Sequence, residues 1–66
     1  MPEYRVEWRQ RPLRRGERQP QRVTHVKART IKQAREFAIT KIENNHGLAG
    51  SELIIPLAYV KRLPNT

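Results

Sequence analysis

The chain contains no cysteine and no aspartate. Without cysteine, neither a disulfide framework nor a thiolate zinc site can reinforce the fold, so the core has to rest on apolar packing alone. Large aromatics are scarce, with Tyr4, Trp8, Phe37 and Tyr59 making up the whole set. With 36% apolar residues in a chain of 66, that scarcity leaves room for one thin, two-layer domain and no second one. No apolar run approaches the roughly 18 residues that a membrane crossing needs. The opening MPEYRVEW alternates charge and bulk, unlike a signal-peptide core. A soluble, cytoplasmic chain with no membrane partner is therefore expected. The three glycines, Gly16, Gly47 and Gly50, match no phosphate-cradling loop.

What the chain does have is positive charge. Fourteen Lys and Arg stand against six Glu, for a net charge of +8 and a pI near 11.2. Residues 1–29 carry eight Arg and one Lys against three Glu, a net of +6, and residues 30–66 carry only +2. Such a field points to a polyanion or to an acidic protein surface. Ten of the fourteen are arginine, whose planar fork suits bidentate contacts to phosphate or carboxylate.

Thr30 to Gly47, TIKQAREFAITKIENNHG, is the one stretch whose period, start and stop agree. Ile31, Ala34, Ala38 and Ile42 recur at spacings of three and four with Phe37 beside them, which predicts one apolar stripe on a helix. Thr30 with Gln33 fits a capping box, and Gly47 can turn the chain out in the left-handed conformation. Glu36 and Glu43 are expected to support the helix through Lys32 and Arg35.

Tyr4 to Arg9 alternates strictly, with Tyr4, Val6 and Trp8 on one side and Arg5, Glu7 and Arg9 on the other, as a half-buried strand does. PLRRGERQP, residues 12–20, has no apolar period and reads as the exposed, basic connection of a hairpin. Arg22 to Arg29 forms the second strand, and Leu53 to Leu63 the third. Pro56 should split the third into a Leu53–Ile55 piece and a main Leu57–Leu63 piece, because proline cannot donate to a ladder. A right-handed crossover through the helix leaves the first strand between the other two and antiparallel to both. The expected fold is α+β, ββαβ, a three-stranded antiparallel sheet of order 2-1-3 with one helix on the Trp8 face.

Catalysis finds little to work with. Ser51 and the threonines have only His25 and His46 as bases, and nothing is spaced to bring a nucleophile, a base and an orienting partner together. His46 suits the helix C-terminus, and His25 suits a surface or edge strand. Two histidines without Asp or Cys make a thin metal site, so no metal and no cofactor is expected. Binding is the better reading. Arg5, Arg9 and Arg11 share one strand parity, and Arg14, Arg15, Arg18 and Arg22 continue from its end, so one edge of the molecule can follow a phosphate backbone of DNA or RNA. The plainer alternative is a solvated face on which Glu7 pairs with Arg5 or Arg9. Tyr59 and His25 are the only residues free to stack on bases. Lys61 and Arg62 form a second basic pair, either a contact point or a charged, blunted edge.

VKARTIKQAREFA at the second strand and helix start, and AYVKRLP at the end, resemble small phage proteins of strand-strand-helix-strand form, in particular the podophage inhibitors of bacterial RNA polymerase. The resemblance implies docking on an acidic surface of a host protein, with Lys61 and Arg62 as contacts, although the inhibitors' acidic strip has no counterpart here. The opening YRVE followed by a basic loop, strand and helix is also similar to archaeal ribosomal protein LX, which implies binding to ribosomal RNA. Both a monomer and a dimer are compatible with the sequence.

Overall fold

The computed structural model describes residues 1–64. Its elements run β1 (Glu3–Gln10), β2 (Arg22–Lys27), α1 (Ile31–His46), β3 (Leu53–Ile54) and β4 (Val60–Arg62), with short 3-10 turns at Gly50–Glu52 and Leu57–Tyr59. β1 lies at the centre, antiparallel to β2 on one side and to both β3 and β4 on the other. The architecture is thus the α+β, 2-1-3 arrangement read from the sequence, with the third strand in two pieces and four strands in all.

The split is longer than proline alone requires. Along β1 the pairing steps from Arg9, opposite Ile54, to Val6, opposite Val60, so three steps of β1 face six steps of the outer strand. The surplus coils into the Leu57–Tyr59 turn, which the sequence reading had placed inside the strand. Two bonds replace ladder pairing at this break. Tyr59 N–H donates to the Pro56 carbonyl at 2.9 Å, and Arg35 Nε reaches from α1 to the Ile55 carbonyl at 2.7 Å. A ladder is replaced by a turn and a side-chain bond, so the buried-backbone penalty is avoided.

α1 begins and ends as its capping residues dictate. Thr30 Oγ1 accepts from Gln33 N–H at 3.1 Å, and Gln33 Oε1 accepts from the backbone N–H of Arg29 at 2.8 Å. Gly47 takes φ 66°, and its N–H donates to the Glu43 carbonyl. Removing the Thr30 hydroxyl frees an amide in the first turn, so Thr30→Ala is expected to lower stability by about 1 kcal/mol in urea denaturation. A loss below a few tenths would mean that the cap contributes nothing.

Tyr4, Val6 and Trp8 pack with Val26, Ala28, Ala34, Ala38, Ile42, Leu53, Ile55 and Val60 into one core, which Ile39 and Leu48 flank. The helix contributes alanine at the centre of its stripe, which lets its backbone lie close to a sheet of modest width. Ile31 and Phe37, expected in the stripe, are 47% and 42% exposed instead. Ile31 sits in the first turn, at the end of the helix, and Phe37 lies on its flank, so neither is covered by so narrow a sheet. Glu36 and Glu43 also differ from expectation. Glu43 accepts the Gly50 N–H at 3.1 Å rather than pairing along the helix, and Arg35 is taken by Ile55, so the ion pair found among the described residues is Arg5–Glu7.

The outer edge of β2 is left unpaired by the sheet. Ala28 N–H donates to the Pro2 carbonyl at 3.0 Å, so the even positions of β2 face β1, and Val23, His25 and Lys27 turn their backbone groups outward. One of these groups is covered, because Lys41 Nζ donates from α1 to the His25 carbonyl at 2.8 Å. Among the described residues no helix is long and apolar enough to cross a membrane.

Candidate nucleic-acid interface

The face of the sheet away from α1 is assembled by register. Arg5 stands opposite His25 on one side and Lys61 on the other, giving a basic row across three strands. Arg9 continues along β1 opposite Ile54. Glu3 stands opposite Lys27, and Glu7 opposite Val23. Strict alternation puts Tyr4, Val6 and Trp8 under the helix and therefore Arg5, Glu7 and Arg9 here. The cations of this face have acidic company, because Arg5 is hydrogen-bonded to Glu7, and Lys27 faces Glu3. The solvated-face alternative, in which Glu7 holds an arginine, thus describes the Arg5 end of the surface. Lys27 was missed among the sequence candidates, although its alternation with the buried Val26 was enough to place it here.

The hairpin connection is different. Nothing between residues 11 and 21 is buried, and Leu13 is 74% exposed. Both roots are tied down. Arg11 N–H donates to the Glu52 carbonyl at 2.6 Å and Arg11 Nε to the Ser51 carbonyl at 3.3 Å, while Gln21 Nε2 donates to Glu7 Oε2 at 2.5 Å. At the tip, Glu17 N–H closes on the Arg14 carbonyl at 3.1 Å with Gly16 at φ 83°. Arg15 keeps a negative φ, since among the described residues no residue but glycine has a positive one. That combination is a type II turn, which needs glycine at its third position. Arg14, Arg15 and Arg18 are all exposed around it. The acid among them, Glu17, accepts a hydrogen bond from Gln19.

The nine candidate residues therefore fall into three groups. Arg5, Arg9 and Lys61 belong to the open face, and Arg11, Arg14, Arg15 and Arg18 to the hairpin connection. Arg22 and Arg62 lie on the helix side of the sheet, opposite Trp8 and Tyr4. Lys61 and Arg62 do not form one patch, because adjacent strand residues point to opposite faces. Arg22 is instead part of the Trp8 environment. Its guanidinium carbon sits 5.6 Å from the indole centroid, and the His46 ring lies 5.2 Å from the same indole at 58°. Because Arg22 ends the β1–β2 ladder, it still borders the loop. Six arginines, Arg9, Arg11, Arg14, Arg15, Arg18 and Arg22, therefore gather at one end of the molecule.

Elsewhere, Lys32, Arg35, Glu36 and Leu57 line a shallow cleft of about 240 Å³. Arg35 there is already committed to Ile55. His25 and His46 lie on opposite sides of the sheet, His25 on the open face and His46 against Trp8. No protein-family model, no curated protein and no solved structure matches this chain.

Proposed function

We propose that this chain is a non-enzymatic, cytoplasmic module that binds nucleic acid through the arginine-bearing end of its β1–β2 hairpin. The carrying observation is the gathering of six arginines around a connection with no buried residue, where Arg14, Arg15 and Arg18 at the exposed tip can meet phosphate without first breaking a structural contact. Arg9 and Lys61 extend the positive surface along the open face. Arg5 contributes less, because Glu7 holds it. The separation of the two histidines by the sheet supports a binding role over acid–base chemistry.

If four or five phosphates are neutralised, the slope of log affinity against log salt is expected to be roughly −4. Trp8, the only tryptophan, reports the event from beneath Arg22. Phosphate that draws the guanidinium away changes the indole's surroundings, so its fluorescence is expected to follow the binding curve. Salt-insensitive or undetectable binding to DNA and RNA alike would overturn this reading and leave an acidic protein surface as the partner, a case that capture from nuclease-treated lysate distinguishes.

A further inference from the structure

Resting on the nucleic-acid reading, we infer a more specific ligand: B-form duplex DNA, with the hairpin connection of residues 11–21 seated in its major groove. Three features narrow the choice. The first is where uncompensated charge lies. On the sheet face Arg5 is held by Glu7 and Lys27 faces Glu3, whereas Arg14, Arg15 and Arg18 have only Glu17 among them. The phosphates are drawn to the protruding loop rather than laid across the sheet.

The second is the lack of a stacking platform. Proteins that hold single strands rely on aromatic side chains under successive bases. Tyr4 and Trp8 are buried beneath the helix, Phe37 is on the helix and Tyr59 is half-buried in the turn before β4, so along the β1–β2 face His25 is the one ring. A single strand lying on this face would have its phosphates partly repelled and its bases unsupported.

The third is shape. The molecule measures 41 × 20 × 16 Å. Neither an eight-residue strand, about 26 Å at the usual rise, nor a sixteen-residue helix, about 24 Å, reaches that length. The connection continues beyond the end of the β1–β2 ladder, fastened at both roots by Arg11 and Gln21 and free at its tip. A two-armed ribbon of this kind fits the major groove of B-DNA, about 12 Å wide, whereas the major groove of A-form RNA is too narrow and deep to admit it. Leu13, largely exposed, has a suitable contact there in the thymine methyl group, which only the major groove displays.

The test compares the intact chain against a short DNA duplex, each of its separated strands and the RNA duplex of the same sequence, by fluorescence anisotropy at several salt concentrations. The DNA duplex is expected to bind at least roughly tenfold tighter than the others, and bulky glucosylated cytosines that fill the major groove should abolish that advantage. Netropsin, which occupies the minor groove, should leave binding unchanged. Leu13→Ala should weaken duplex binding without changing the salt slope, as loss of an uncharged contact does. Equal or tighter binding to a single strand or to the RNA duplex, or displacement by netropsin, overturns the groove assignment and leaves the nucleic-acid reading standing. Absence of binding to all of them ends both. The connection contributes nothing to the core, so the Leu13 variant keeps its fold, which circular dichroism verifies.

Discussion

Trp8→Ala is expected to leave much of the chain unfolded at room temperature. Truncating a buried tryptophan costs about 3–5 kcal/mol. A domain of 66 residues has a total stability on the order of 3–10 kcal/mol. Trp8 is 3% exposed, sits on the central strand and carries the His46 ring and the Arg22 guanidinium against it. No disulfide holds the remaining chain together. Far-UV circular dichroism with urea denaturation measures the loss. Trp8→Phe, which keeps a ring between His46 and Arg22, should lose far less. A cost below about 1 kcal/mol for the alanine variant would mean that the core does not depend on this residue.

The largest effect on binding is expected from reversing Arg14, Arg15 and Arg18 to Glu. Each reversal removes one positive charge and adds one negative, so three take the net charge from +8 to +2. With three phosphate contacts gone, the salt slope should shrink by about 2.7, and affinity at physiological salt should fall by roughly 100-fold or more. Stability should change by less than about 0.5 kcal/mol, because none of the three side chains packs against the core. A charge-matched control separates position from total charge. Reversing Arg29, Lys32 and Arg62, which lie at the helix entrance and on the helix side of the sheet, also gives +2 but leaves the hairpin intact. It should weaken binding much less. Equal losses in the two triple variants would show that only overall charge matters and that the hairpin is not the contact.

Much of this molecule can be read from its residues, and the parts that cannot share a cause. The alternation of Tyr4, Val6 and Trp8 with Arg5, Glu7 and Arg9 is a local signal, and β1 follows it without exception. Thr30, Gln33 and Gly47 act through bonds within a turn or two of themselves, so both ends of α1 are legible. The order of the sheet follows from crossover handedness and one proline. What escapes the sequence depends on how far one element covers another. Ile31 and Phe37 fit the helical period, yet a sheet with one full-length central strand is too narrow to reach them. The coil at Leu57–Tyr59 depends on three surplus residues that only the register reveals. Arg22 is a different kind of case. It shares parity with Val26 and Ala28, which already places it on the covered side, but its nearness in the chain to the loop arginines suggests otherwise. The site is legible in its composition and in the loop, and illegible in the Arg5–Glu7 bond, which decides how much of the open face is available.

The bond from Lys41 to the His25 carbonyl has a meaning beyond local geometry. Val23, His25 and Lys27 present the rim of β2 as a template on which a strand from another molecule could add, and that molecule would in turn offer the same rim. An ammonium group anchored to the middle of this rim interrupts the template and brings its charge to the point where an incoming backbone would have to dock. Protection of the open edge against strand addition is thereby entrusted to one side chain of the helix.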